Sequence, residues 1–155
     1  MSISNNVIGV ITARYSSSRF PGKVLAKIAG KPMIQWVYEQ SKKSELLDQL
    51  IVAVDNEEVF KCVEGFGGRP VMTKVDHQSG TDRIAEAVDS IATDIVVNIH
   101  GDQPMLDRIM IDEAVKPILY STEIKKKTII KKISEEYNVE KNIEIKNRNQ
   151  TILQQ

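Results

Sequence analysis

Two hydrophobic patterns alternate along the chain. Short, almost continuous apolar runs, Val7-Ile8-Gly9-Val10-Ile11, Leu50-Ile51-Val52-Ala53-Val54 and Ile95-Val96-Val97-Asn98-Ile99, the last interrupted only by Asn98, have the character of parallel strands buried on both faces. Between them, apolar residues recur at helical spacing: Met33, Trp36 and Val37 flanked by Ile34 and Tyr38; Val59, Cys62, Val63 and Phe66; Ile84, Val88, Ile91 and Ala92; then Ile109, Ile111, Ala114 and Val115. Local punctuation fits this division. Pro32 suits the first turn of a helix, Gly67-Gly68 reads as a stop, Ser79-x-x-Asp82 has the form of a capping box, and Pro117 is expected to end the last helix. Residues 24–28 read as a short extended piece and 70–73 as a strand near an edge, because Pro70 cannot donate to a ladder. Residues 125–133, flanked by lysines, read as a further strand. The order predicts an α/β layered fold in which strands starting near residues 7, 50, 70, 94 and 125 form one mostly parallel sheet with helices on both faces.

A chain of 155 residues with 41% hydrophobic content can bury one core, so a single domain over 1–155 is expected, with a polar tail over 139–155. Lysine plus arginine equals aspartate plus glutamate at 21 each, so the net charge is zero and gives no general attraction to nucleic acid or an anionic membrane. Anion binding must then be local. No apolar run approaches the ~20 residues of a membrane span, and the polar start lacks a secretory signal's regions. The single Cys62 excludes an internal disulfide and fits a reducing, cytoplasmic compartment; its spacing makes it a small core hydrophobe. Trp36 and Met33 near it read as core packing. His77, with no second ligand near it, reads as a surface-loop histidine.

Three segments carry candidate chemistry. The first strand empties into Ala13-Arg14-Tyr15-Ser16-Ser17-Ser18-Arg19-Phe20-Pro21-Gly22-Lys23. Arg14 and Arg19 offer planar charged forks for phosphate oxygens and Lys23 a mobile point charge, with Pro21-Gly22 turning the chain back. On composition alone, three cations in such a loop are more often a solvated surface than a site. Ser79-Gly80-Thr81 opens a helix, either as a simple cap or as a set of backbone N–H groups and hydroxyls facing a phosphate or a base edge. His100-Gly101-Asp102-Gln103-Pro104 leaves the strand over 94–99, and Asp102 is either a turn former or a carboxylate for Mg²⁺.

The runs A-R-Y-S-S-S-R-F-P-G-K and L-A-x-I-x-G-K-P-M-I-Q-W-V-Y-E, with D-H-Q-S-G-T-D-R and V-N-I-x-G-D-Q-P, closely resemble the amino-terminal part of the 3-deoxy-manno-octulosonate cytidylyltransferase (CMP-Kdo synthetase) family. The resemblance implies a Rossmann-like three-layer nucleotidyltransferase fold, truncated, since family members run on for roughly a hundred residues more. It implies CTP and an acidic octulosonate sugar, or its 8-amino analogue, as substrates for lipopolysaccharide biosynthesis, Mg²⁺ as cofactor, and a homodimer as one assembly. Carried onto this sequence, Arg14, Lys23 and Asp102 are the catalytic candidates and Asp102 the metal ligand. Ala13, Arg14, Arg19, Lys23, Thr73, Ser79, Gly80, Thr81 and Gln103 are the nucleotide-binding candidates. Thr12 stands where the family usually has Pro, and His100 where it has an amide or apolar residue. Beyond Val139 the match is loose. The alternatives are a chain that binds CTP without turning over the sugar, lacking the sugar site, and a related nucleotidyltransferase for another acidic sugar. A sugar-1-phosphate nucleotidyltransferase is disfavoured by the missing Gly-Gly-x-Gly-Thr-Arg loop, and a P-loop kinase because Val24 follows Lys23.

Overall fold

The computed structural model describes residues 5–120 and, as strands, 143–147 and 150–152. Strands β1 (Val7–Ala13), β4 (Gln49–Val54), β5 (Pro70–Met72) and β6 (Ile95–His100) make the parallel body of one sheet, in the order β5-β4-β1-β6. Two antiparallel strands that the sequence pattern did not predict, β7 (Ile143–Asn147) and β8 (Gln150–Ile152), extend it beyond β6. They lie in the polar tail, where no unbroken apolar run in the sequence marks a strand. The strand expected over 125–133 lies outside the described residues.

Alternation along the central strands decides which helix goes where. Val7, Ile11, Val52, Val54, Ile95, Val97 and Ile99 face one cluster with α1 (Met33–Lys42), α2 (Glu57–Gly65) and α4 (Arg108–Tyr120). Ile8, Val10, Ile51, Ala53 and Val96 face the other, with Ile84, Ala87 and Val88 of α3 (Gly80–Val88). Both faces of the sheet are therefore covered, which is why the strands read as continuous apolar runs. The helix ends follow local chemistry. Asn56 caps α2 by accepting from the N–H groups of Glu58 and Val59. Its far end closes when Gly67, at φ +82°, lets its N–H reach Glu64 O and that of Gly68 reach Val63 O. No helix among the described residues is long and apolar enough to cross a membrane.

Three local expectations need correction. Residues 24–28 are not one extended piece: Lys23–Leu25 is a 3₁₀ turn, and only β2 (Lys27–Ile28) pairs, antiparallel, with β3 (Lys31–Pro32). Positive φ at both Ala29 and Gly30 makes the two-residue turn that joins them. Pro117 does not end α4, which runs on to Tyr120 because fully buried Ile118 holds the next turn against the sheet. Trp36 stays half-buried rather than in the core. Its indole N–H donates to Ile28 O at 2.7 Å and Lys31 Nζ lies 4.4 Å from the ring centre, so it fastens the β2–β3 hairpin to α1. Cys62 is half-buried against the larger cluster, and burial raises its thiol pKa.

Candidate functional site

The sheet order places β1 between two strands that were reached in opposite directions, β4 on one side and β6 on the other. At such a switch point the loops leaving the carboxyl ends part and leave a crevice. A polar cavity of about 580 Å³ opens there. Three buried or half-buried contacts fix its rim. Gly101 N–H donates to Thr12 O at 3.0 Å, tying the turn after β6 to the end of β1. Tyr15 N–H donates to Asp55 Oδ1 at 2.9 Å, tying the loop after β1 to the end of β4. Thr73 N–H donates to Val54 O at 2.8 Å, bringing the end of β5 to the same place.

On one wall stands the loop after β1. Gly22 takes φ +69°, its N–H donating to Tyr15 O at 2.7 Å, and this turn returns Lys23 to the mouth. There Lys23 Nζ lies 3.2 Å from Asp102 Oδ2, each side chain a little under half exposed. The serines of the loop, Ser16, Ser17 and Ser18, line the cavity together with Arg14 and Lys23. The other wall is the entrance to α3. Ser79 is its N-cap, accepting from Asp82 N–H at 3.2 Å and donating its hydroxyl to Asp82 Oδ2 at 2.8 Å. The N–H groups of Gly80 and Thr81 have no partner within the helix, by their place in its first turn, and both residues line the cavity. Such an end carries partial positive charge.

Of the predicted residues, Arg14, Lys23, Ser79, Gly80, Thr81 and Asp102 meet around this one cavity. Ala13, Arg19, Thr73 and Gln103 are not in its lining. Ala13 is fully buried in the larger core cluster, because the strand still alternates inward at that position. Arg19 and Gln103 are exposed and follow directly on Ser18 and Asp102, which do line the cavity. Thr73 is buried beneath the wall, its hydroxyl donating to Val54 O at 2.9 Å and accepting from Arg83 Nη1 at 2.6 Å.

Residues not singled out by the sequence pattern complete the site. Arg83, 1% exposed, lies in the wall with Nη2 3.3 Å from Asp55 Oδ2, and its Nη1 also donates to Lys74 O at 3.0 Å. Asn98, in the middle of β6, turns a buried Oδ1 that has no hydrogen-bond partner among the described residues. A signal for Arg83 existed: it sits in the apolar stripe of α3 beside Ile84 and Ala87, and a buried guanidinium needs a carboxylate. His77, read as a surface-loop histidine, is instead partly buried and bonded to Glu86 of α3; that bond, followed by the one from Lys74 N–H, holds the Glu86 pKa below its ordinary value.

The donor set limits what metal chemistry the cavity supports. Asp102 is the one carboxylate in the lining, and no group of three or more His, Cys, Asp or Glu among the described residues could hold a metal ion alone. Mg²⁺ keeps several waters and takes one or two carboxylates together with substrate phosphates, so these residues fit a metal that arrives with a nucleotide.

The sequence matches the family described as cytidylyltransferase over residues 8–153. Among curated relatives, the 3-deoxy-manno-octulosonate cytidylyltransferases of Geobacter sulfurreducens and Geobacter metallireducens are 44% and 47% identical, over 83% and 82% of this chain. The chain spans about half the length of these relatives, 51% and 50%. Among solved structures, a CMP:2-keto-3-deoxy-manno-octonic acid synthetase complexed with CTP superposes with a TM-score of 0.71 at 42% identity, over 73% of this chain and 47% of that one. A cytidylyltransferase from Leptospira borgpetersenii, 22% identical, shares the fold with a TM-score of 0.67, over 77% of this chain and 51% of that one. An α/β nucleotidyltransferase fold, a cavity at the switch point and these likenesses agree: the chain belongs to the cytidylyltransferase family.

Proposed function

We propose that this chain binds CTP with Mg²⁺ at the carboxyl ends of β1 and β6, as the nucleotide-binding part of a cytidylyltransferase that transfers CMP to 3-deoxy-manno-octulosonate and releases pyrophosphate. The observation that carries the reading is the meeting of Arg14 and Lys23 with Asp102 in one cavity, opposite the N–H groups that open α3. Arg14 and Lys23 hold and neutralise the triphosphate. Gly80 and Thr81 present donors to the base or ribose, and Asp102 holds the metal, which when bound offsets charge growing on the leaving pyrophosphate. The sugar's anomeric oxygen forms the new bond to the α-phosphorus as the bond to pyrophosphate breaks, and its proton leaves with solvent. The rate then depends on holding that hydroxyl in line. CTP as substrate and one unpaired cysteine support a cytoplasmic setting.

A second reading, CTP binding without efficient transfer, is favoured by the lining of the cavity, whose residues are all taken up by the nucleotide and metal roles above or by its walls, with none assigned to the sugar. Calorimetry and a pyrophosphate-release assay separate the two. The chain should bind CTP with Mg²⁺, Lys23→Ala should weaken binding about tenfold or more, and exposed Lys27→Ala should leave it unchanged. Pyrophosphate release with the octulosonate at about 1 to 10³ per second would support the complete enzyme, and release far below that the binding reading. Absence of CTP binding would contradict both.

A further inference from the structure

We propose that Arg83 is a positioning residue for base discrimination: it joins the phosphate wall to the base wall of the cavity, and so sets the distance at which a nucleotide is measured. The inference rests on the CTP reading above and adds to it a residue that acts through its neighbours.

The connections are one continuous path. Tyr15 N–H, at the start of the phosphate loop, donates to Asp55 Oδ1. Asp55 Oδ2 faces Arg83 Nη2 at 3.3 Å, a contact of charge, since this oxygen has no hydrogen-bond donor among the described residues. Arg83 Nη1 then donates to Thr73 Oγ1 and Lys74 O, at the point where the chain leaves β5 for the segment that ends at Ser79. Arg83 itself belongs to α3, three residues after Gly80. A guanidinium suits this place because its planar fork spends different N–H groups on partners lying in different directions.

Stability alone gives a poor reason for the arrangement. The Asp55 and Arg83 side chains are 2% and 1% exposed, and Arg83 Nε has no hydrogen-bond partner among the described residues. Buried pairs are costly to desolvate, and apolar residues of similar volume often serve a fold as well or better. A polar group left partly unsatisfied beside a cavity is where local rules give way to function. What the pair supplies is geometry. Without it, the entrance of α3 and the loop after β1 are linked across the cavity mainly by the sheet beneath them.

The test uses the whole chain with three probes, CTP, UTP and inorganic tripolyphosphate, each with Mg²⁺, in calorimetry. Thr73→Val keeps the buried shape and the Asp55–Arg83 pair but removes the shorter of the two anchors on the base wall, leaving Lys74 O, and Arg83→Lys keeps the charge but loses the planar fork. Both variants should lose about tenfold in CTP affinity, more than they lose for tripolyphosphate, and their preference for CTP over UTP should fall towards one. Amide hydrogen exchange of the free chain gives a readout independent of nucleotide: Arg83→Lys should speed exchange at Tyr15 and Lys74 severalfold, although neither lies within eight residues of the substitution. An unchanged CTP-to-UTP preference in a folded Thr73→Val would overturn the proposal. If the unaltered chain binds no CTP, the function proposed above fails, and unchanged exchange at Tyr15 in Arg83→Lys then overturns the link through Arg83 as well.

Discussion

The loop after β1 places Lys23 in an exposed ion pair with Asp102, whereas the passage from β5 into α3 places Arg83 in a buried one with Asp55. The first pair contributes at most about 1 kcal/mol and gives way readily to a ligand that offers the lysine phosphate oxygens and the aspartate a cation. The second cannot be broken without leaving a charge in the interior. One wall of the cavity is thus adaptable and reactive, and the other is fixed by the fold. Substitutions on the first wall should act on binding with little effect on stability, and those on the second should act on both.

The sharpest contrast comes from removing one partner of each pair. Asp55→Ala should lower unfolding free energy by about 3 to 5 kcal/mol, because Arg83 is left buried and uncompensated. Lys23→Ala should change it by no more than about 0.5 kcal/mol, as an exposed substitution. Urea denaturation measures both, and equal costs would erase the distinction between the walls.

Gly101→Ala is an exception on the adaptable side, because the turn after β6 is packed there against the end of β1. A Cβ at Gly101 would lie 2.6 Å from Thr12 O and 3.1 Å from Ile34 Cδ1, so the turn that carries Asp102 must shift. Overpacking of this kind costs about 1 to 3 kcal/mol. Thermal unfolding should register it, and Mg²⁺-dependent CTP binding should fall with it.

A smaller effect separates the walls by pH. Glu86 is held below its ordinary value of 4.5 first by the bond from His77 and then by Lys74 N–H. A carboxylate with a depressed pKa contributes stability that is fully present above its ordinary value and is lost as pH falls through the depressed one. Protection of the Lys74 amide, taken relative to its intrinsic exchange rate at each pH, should therefore fall in acid, below the ordinary carboxylate range, and Glu86→Gln should abolish that step. The loop after β1 should show no such step through this group.

The smallest signal is a label that belongs to neither wall. Burial holds the Cys62 thiol protonated to higher pH than a free cysteine, so alkylation should be slow at neutral pH. Asp55→Ala should speed it by opening the core, and Lys23→Ala should not.

How much of this was legible in the sequence depended on which physical signal each part emits. Strands β1, β4 and β6 announce themselves because two-sided burial forces continuous β-branched runs, and the helices because one buried stripe repeats every three to four residues. The β2–β3 hairpin was missed because its turn uses Ala29 at positive φ, which Ala rarely signals. Pro117 misled because its effect on a helix is local, while Ile118 is held by the core beyond it. The adaptable wall could be read as a list of residues: its cations and Asp102 are short-range motifs. The fixed wall could be read only at its rim, where Ser79-Gly80-Thr81 opens a capped helix; what holds it in place could not, because Asp55, Thr73 and Arg83 are brought together only by the crossing of β4, β5 and α3. Arg83 in an apolar stripe asked for a buried partner, and nothing in the sequence said which carboxylate would supply it.

The most direct test of the cavity as the nucleotide site is amide hydrogen exchange of the chain with and without CTP and Mg²⁺, read along the whole sequence. Protection should rise together in three separated stretches, at residues 14–23, 79–83 and 98–102, because those are the loops that meet at the carboxyl ends of the strands. Protection confined to the other end of the sheet, where Asp48 and Asp94 accept from the N–H groups of Val7 and Asn6, would contradict it.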